Sequence, residues 1–369
     1  MKVLVLGGYG NFGRLIARSM ARERSIELVI AGRDRAKAEA LATEIGCAAM
    51  RIDAGDAALA KQLTDAGIGL VISTAGPFQG QDYFVARAAI AARAHYIDIA
   101  DGREFVCGIG VLNLQALAND VLTVAGASSV PALTSAVVDH YASDFGTLET
   151  IDIGICTSSR YPGDATMKAI LGYCGRPIPR WRDGRLDVTY GWQGLRSHRF
   201  RAAPMTRWIC DCDVPDLGIF PGRYAGVRDV RFGAGIDPPF AHLALWALSG
   251  CARVGIIPGL GGNAGFLSRT SRRFEAAGSG RSAMFVRLCG TGQDGRPQVR
   301  RWELVAENHE GANVPCMAAV CLARKLASNA VATRGALACV GLVTLDEYLE
   351  ELRPFKVRWQ SFDGPDDDS

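Results

Sequence analysis

Gly8, Gly10 and Gly13 stand in the run Gly7-Gly8-Tyr9-Gly10-Asn11-Phe12-Gly13, which has the spacing G-x-G-x-x-G. The chain has 43 glycines, so the spacing alone is weak. Its surroundings strengthen it. The apolar run K-V-L-V-L ends at Leu6, and residues 11–23 place Phe12, Leu15, Ile16 and Met20 at helical spacing. Between a strand and a helix each glycine has a task. Gly8 permits the tight turn out of the strand, Gly10 lets the backbone approach a pyrophosphate, and Gly13 lets the helix pack near the sheet. The amides opening the helix, at its positive dipole end, then face phosphates. The chemistry is dinucleotide binding, with Gly8, Gly10, Asn11, Phe12 and Gly13 as contacts.

The next residues choose the dinucleotide. A second strand, 27–31, runs into Ala31-Gly32-Arg33-Asp34-Arg35-Ala36-Lys37. An acidic residue at the end of that strand would hold the ribose 2′-OH of NAD. Here Arg33 comes first, and its guanidinium can pair with a 2′-phosphate and stack on adenine. Lys37, one helical turn on, adds a second charge. Asp34 dissents, since turned inward it would favour NAD. The balance predicts NADP over NAD, against the plainer alternative of a solvated helix start. Asp53, after the third strand, is placed either to contact adenine or to cap the next helix. Thr74, Ala75, Gly76 and Pro77 follow the fourth strand, where small residues keep the sheet edge open beside the cofactor ribose. Ser128 and Ser129 follow the sixth. Ligands of such sheets sit outside the carboxyl ends of the strands.

Hydride transfer asks little more of a protein than placement of the reacting carbons and a proton donor or charge stabiliser. Asp101, Arg103 and Tyr83 are the candidates for that work, with Asp98 and Gln79 beside them. An Asp101–Arg103 pair would orient a substrate or tune a carboxyl group. The alternative makes Asp101 a helix cap and Arg103 a surface residue. His95 opens a strand and reads as structural. His140 and Tyr141 lie on a helix after Pro131, and Arg160, Tyr161 and Lys168 could meet a carboxylate. The sequence holds no metal-ligand cluster, nucleophile elbow or P-loop lysine.

These residues need a scaffold, and the first third supplies one. Apolar strands at 2–6, 27–31, 48–52, 69–73, 95–99 and 121–125 alternate with helices at 35–45, 57–65 and 83–92, and with a partly helical 104–118. Near-continuous apolar strands alternating with helices predict an α/β fold, a Rossmann-type doubly wound parallel sheet covered on both faces. The middle differs. Strands are predicted at 149–157, 188–200 and 229–233, a hairpin at 283–290 and 298–307 around Asp294-Gly295, and helices at 166–173 and 239–253. That is a mixed or antiparallel sheet in an α+β region. Helices at 314–327 and 345–352 and an acidic tail at 366–369 close the chain.

Composition bounds the function. The 369 residues are 49% apolar and 21% charged, which suits a soluble globular protein of two domains. A net charge of +3 argues against a nucleic-acid partner. Arg269, Arg272, Arg273 and Arg281 read as a solvated helix face. The eleven cysteines include no C-x-x-C pair and read as small hydrophobes in a reducing compartment, so a cytoplasmic location is expected. No signal peptide is evident, since glycines and Arg14 break the first apolar run. Residues 240–260 are apolar but interrupted by His242, Arg253 and Pro258. They predict a buried or interface helix and no stable membrane insertion.

The segments G-G-Y-G-N-F-G, A-G-R-D-R-A-K-A, A-G-P-F-Q-G-Q-D-Y, H-Y-I-D-I-A-D-G and G-A-S-S-V-P-A-L resemble the saccharopine dehydrogenase-like family of NADP-binding reductases. The resemblance covers residues 1–138, with weaker echoes at 314–325 and 339–348. It implies a discontinuous Rossmann domain, 1–135 completed by about 310–360, with an inserted α+β substrate and dimerisation domain at 136–309. It also implies NADP(H)-dependent hydride transfer at a carbon–nitrogen bond of a small amino-acid-derived substrate. A homodimer is expected. Two other functions remain open: reduction of a lipid-like or polycyclic substrate, motivated by 240–260, and non-catalytic NADP binding.

Overall fold

A computed structural model describes residues 1–158, 170–257, 259–263 and 278–364. The chain forms two compact units. One comprises Met1–Leu133 and Asn313–Leu352, the other Thr134–Ala312 and Arg353–Ser369.

The first unit is built on seven parallel strands: β1 (Lys2–Leu6), β2 (Glu27–Gly32), β3 (Ala48–Arg51), β4 (Leu70–Ser73), β5 (His95–Asp98), β6 (Leu122–Ala125) and β15 (Gly335–Ala338). Their order is β15-β6-β5-β4-β1-β2-β3. The chain winds outward one way through β2 and β3 and the other way from β4, so the topological switch point falls between β1 and β4. Val3, Leu4 and Val5 are wholly buried, as a strand covered on both faces requires. Each contributes roughly 1.5–3 kcal/mol of burial.

The connecting helices are α1 (Gly13–Met20), α2 (Arg35–Ile45), α3 (Leu59–Asp65), α4 (Phe84–Ala91), α5 (Arg103–Gly108) and α6 (Asn113–Ala118). The helical stretch expected at 104–118 is thus two helices. A 3-10 turn, Ile109–Leu112, separates them beside Gly108 and Gly110, where glycine weakens helix continuity.

The second unit begins with α7 (Thr134–Tyr141) and β7 (Phe145–Thr157), and adds β8 (Pro177–Arg182), β9 (Arg185–Tyr190), β10 (Arg196–Phe200), β11 (Met205–Asp211), α8 (Asp216–Arg223), β12 (Asp229–Ile236) and α9 (Pro239–Arg253). The strands β13 (Ser282–Gly292), β14 (Pro297–Ala306) and β16 (Val357–Asp363) complete it. Its mixed sheet has the order β10-β11-β12-β7-β13-β14-β16, with β8 and β9 as a separate hairpin. Only β7 and β12 run parallel within it among the described pairings.

The single strand expected at 188–200 is two strands in different sheets. Trp192 (φ 56°) and Gly194 (φ 66°) take left-handed conformations that end one and re-aim the chain for the other. Strands β8, β11, β15 and β16 had no sequence expectation. Of the helix expected at 166–173, residues 166–169 lie outside the described residues, as do Arg269, Arg272 and Arg273; Arg281 is exposed just before β13. Among the described residues no helix is long and apolar enough to cross a membrane.

Back in the first unit, α10 (Met317–Ala327) leads to β15, and α11 (Leu345–Leu352) follows. The Ala336 amide of β15 donates to Asn113 Oδ1 at 3.0 Å, and the Tyr348 hydroxyl donates to the Val314 carbonyl at 2.6 Å.

Candidate dinucleotide site

The glycine turn lies at the carboxyl end of β1, on the switch point. Gly7 and Gly8 amides both donate to the Ala31 carbonyl at 2.9 and 3.1 Å, and the Gly10 amide donates to Gly7 O at 2.8 Å. The turn itself is made by Gly7, at φ 78°, and not by Gly8. A Cβ on Gly7 would also meet Thr74 Oγ1 at 2.8 Å. A Cβ on Gly13 would come within 2.3 Å of Gly7 O and 2.7 Å of Gly8 Cα, backbone atoms that cannot rotate away. Helix α1 therefore presses its first turn onto the loop.

That first turn has no side-chain cap. Four amides at a helix start have no partner within the helix. Those of Asn11, Phe12 and Gly13 make no backbone hydrogen bond among the described residues. Gly10 and Asn11 are exposed. Uncapped amides, a positive dipole end and an open approach over Gly10 make a cradle that fits a pyrophosphate.

At the other end of the loop, the Tyr9 ring lies over Gly32, where a Cβ would sit 2.5 Å from its Cε1. The Tyr9 hydroxyl accepts from the Asp34 amide at 3.0 Å. Asp34, the residue that argued for NAD, is the cap of α2. Its Oδ1 accepts from the Lys37 amide at 3.1 Å, and its Oδ2 lies 3.2 Å from Lys37 Nζ. The Lys37 amide, followed by its ammonium, holds the Asp34 carboxyl below its ordinary range. The carboxylate is thus committed to the helix start, and Lys37 shares its charge with it. Arg33 stays exposed. A further cation, Arg51, ends β3 in register with Gly32, and its Nε donates to Arg33 O at 3.3 Å. Asp53 is exposed and holds the Gly55 amide at 3.1 Å, while Asp56, not Asp53, binds the Ala58 amide ahead of α3.

The β4 loop closes the other side. Thr74 ties β4 to β1: its amide donates to Leu6 O at 2.9 Å, and its hydroxyl lies 3.0 and 3.1 Å from the carbonyls of Leu6 and Gly7. Gln81 donates to the carbonyls of Ala75 and Pro77, which fixes the run Ala75-Gly76-Pro77. Beside it opens a cavity of about 360 Å³ walled by Ser73, Ala75, Gln81, Tyr83, Tyr96 and Phe105.

The catalytic candidates lie around this loop. Tyr83 donates from its hydroxyl to Phe105 O at 2.8 Å and packs its ring on Phe105 at 4.8 Å. Burial raises its pKa, with Asp98 adding. Asp101 accepts from Gln79 at 3.0 Å, and burial raises its pKa against that bond. The cap of α5 is Gly102, so Asp101 is not a helix cap, and Arg103 is half-buried as the first residue of α5. Asp98 is wholly buried. Its Oδ1 accepts from the amides of Gly126 and Ala100 at 2.8 and 2.9 Å, joining the ends of β5 and β6. Burial pushes its pKa up to about 7 against those two amides. Ser128 is buried on the same β6 loop.

His95 is structural: its Nδ1 accepts from the Leu122 amide at 2.9 Å, at the opposite end of β5 from the site. His140 and Tyr141 stack edge-on at 4.7 Å in the second unit. Arg160, Tyr161 and Lys168 lie outside the described residues. Sequence reasoning missed Gly7, Tyr9 and Arg51. A second glycine before the motif and a basic residue closing the third strand were the available signals.

Residues 3–129 match the family model described as the saccharopine dehydrogenase NADP binding domain. No curated protein matches the sequence. Among solved structures, the chain is similar to apo histidine-tagged saccharopine dehydrogenase (L-Glu forming) from Saccharomyces cerevisiae, with TM-score 0.74 and 15% identity over 98% of this chain and 99% of that one. It is also similar to a mutant meso-dapdh of Clostridium tetani E88 solved with DAP, with TM-score 0.51 and 14% identity over 96% and 98%. At such identities the likeness shows the fold, while the family match lies on the domain that carries the glycine turn. Residues 3–129 are thus similar to the NADP-binding domain of saccharopine dehydrogenases, and NADP is the cofactor that this domain match assigns to the glycine turn.

Proposed function

We propose that the protein uses NADPH to reduce a carbon–nitrogen double bond formed between an amine and a carbonyl group, one of them derived from an amino acid. The observation that carries the cofactor half is the adenosine end of the site: Arg33 is exposed beside Arg51, while Asp34 is spent on capping α2. The substrate half is supported by a fold shared along its whole length with dehydrogenases named for saccharopine and DAP.

In this reading Gly8, Gly10, Asn11, Phe12 and Gly13 hold the pyrophosphate, Arg33 and Lys37 the 2′-phosphate, and Asp53 the adenine edge. Thr74, Ala75, Gly76, Pro77 and Ser128 bound the ribose and nicotinamide. Bound there, NADPH would supply the hydride that an imine carbon needs, and the protein would have to deliver a proton to the nitrogen. Asp101, whose carboxyl burial raises toward the protonated form, is the proton-handling group, and Arg103 orients the substrate carboxylate. Tyr83, with its hydroxyl held by Phe105 O, shapes the wall.

The test is NADPH oxidation, followed by the loss of reduced-nicotinamide absorbance, with paired amines and 2-oxo acids or aldehydes. Turnover with at least one pair is expected. Tight NADPH binding with no turnover of any pair would overturn the substrate class. A lipid-like substrate is the second reading, favoured by the exposed apolar side chains Phe240, Trp246, Val254 and Ile256 on and after α9. The same surface supports the homodimer we propose, and eleven cysteines with no C-x-x-C pair among them support a reducing, cytoplasmic setting.

A further inference from the structure

The end of β2 is built in a way that its cations alone do not explain. In dinucleotide folds a carboxylate there takes the ribose 2′-OH of NAD. Here β2 ends at Gly32, which has no side chain to offer. The space into which a side chain would project is filled by Tyr9, from the glycine turn. A Cβ on Gly32 would lie 2.5 Å from Tyr9 Cε1, and 2.8 Å from both Cζ and the hydroxyl oxygen. No carboxylate fits at position 32 while the ring stays in place.

The phenol is held there by the Asp34 amide, which donates to its oxygen at 3.0 Å. An amide N–H can only donate, so the phenol oxygen accepts and its own hydrogen is left over. No described residue accepts that hydrogen. The incoming amide polarises the O–H and makes it a better donor. Tyr9 is partly exposed, so a ligand can reach it. The surroundings favour an anion. Arg33 follows Gly32 and is exposed, and Arg51 is paired with Gly32 across the sheet, its Nε on Arg33 O at 3.3 Å. The neighbouring carboxylate, Asp34, is turned onto Lys37.

We propose that Tyr9 is a specificity-determining residue: its hydroxyl donates a hydrogen bond to the 2′-phosphate of NADP(H), and its ring keeps an NAD-selecting side chain out of position 32. The inference rests on the NADP assignment of the glycine turn. A bare ribose hydroxyl could also accept from the phenol, but a hydrogen bond to a charged oxygen is the stronger one. The phenol therefore favours the phosphorylated ribose. Tyr9 and Arg33 divide the work. An exposed guanidinium must be ordered before it binds, whereas a phenol packed on Gly32 and held at its oxygen is already in position. Arg33 supplies charge, and Tyr9 supplies direction.

The test is fluorescence titration of the full-length protein and of Tyr9→Phe with NADPH and with NADH. Removing the hydroxyl should weaken NADPH about tenfold, the scale of one hydrogen bond to a charged group, and leave NADH within about twofold. A tyrosine that merely braced the turn would weaken both nucleotides alike. Gly32→Ala keeps the hydroxyl but displaces the ring, so it should cost NADPH a similar factor. In the double variant the two losses should not add, because both act through the same phenol. Equal weakening of NADPH and NADH in Tyr9→Phe, an unchanged NADPH affinity, or fully additive losses in the double variant would overturn the proposal. A wild type that binds NADH as tightly as NADPH would instead remove the NADP assignment, and the proposal with it, before any variant is compared. None of these outcomes depends on amine or carbonyl turnover.

Discussion

Cofactor choice in this chain turns on which charges around β2 are already spoken for. Asp34 binds the Lys37 amide and ammonium, so neither side chain is as available to a ribose or phosphate as its position in the sequence suggests. Arg33 is exposed, and Arg51 stands next to it through the Arg33 carbonyl. We expect Arg51→Ala to weaken NADPH about fivefold at most and to leave NADH unchanged, since an exposed ion contact is worth up to about 1 kcal/mol. Fluorescence titration of both nucleotides measures this, and equal weakening of the two would mean that Arg51 does not meet the 2′-phosphate. The Asp34 cap was readable in principle, because the cap and the amide it binds are three residues apart. Tyr9 was not. Its purpose appears only when the Asp34 amide, 25 residues on, is folded against its hydroxyl.

At the scale of elements, the turn from β1 into α1 was legible because an apolar run, three glycines and a helical period are all local. The particular job of Gly7 was hidden, since Thr74, which crowds it, comes from β4. Gly13→Ala forces a methyl group to 2.3 Å from Gly7 O. We expect it to cost roughly 1–3 kcal/mol of stability and to weaken NADPH at least tenfold, read by urea unfolding and titration; a variant with wild-type affinity would show that α1 does not need this close approach. Asp98 gives a pH-dependent prediction. Its pKa, raised from 3.8 to about 7, means that the folded protein holds a proton the unfolded chain has released. Its contribution to stability therefore falls as pH rises from about 4 to about 7, on the order of 4 kcal/mol in all. Asp98→Asn keeps an oxygen for the Gly126 and Ala100 amides and never ionises. Its unfolding free energy should decline less over that range than the wild type's. A parallel decline in both proteins would show that Asp98 is not the group responsible.

At the scale of the whole molecule, the chain leaves its first sheet, builds a second unit, and returns to add β15 beside β6. Composition could not announce this. β15 reads Gly335-Ala336-Leu337-Ala338, too short and small to stand out, and it is a strand because β6 and Asn113 offer it partners. The Asp294-Gly295 hairpin was legible for the opposite reason: its turn chemistry is local and Gly295 takes φ 77°. If the return is integral to the first unit, Asn113→Ala should destabilise it by about 1 kcal/mol by stripping the Ala336 amide of its acceptor; an unchanged urea midpoint would argue that β15 docks independently of that bond. The most direct measurement of the central claim is a side-by-side titration of wild type and Arg33→Glu with NADPH and NADH. The wild type should bind NADPH more tightly, and Arg33→Glu should weaken NADPH by about a hundredfold, the scale of a charge-assisted pair turned repulsive, and so reverse the preference. A wild type that favours NADH, or a variant that binds NADPH as well as the wild type does, would contradict it.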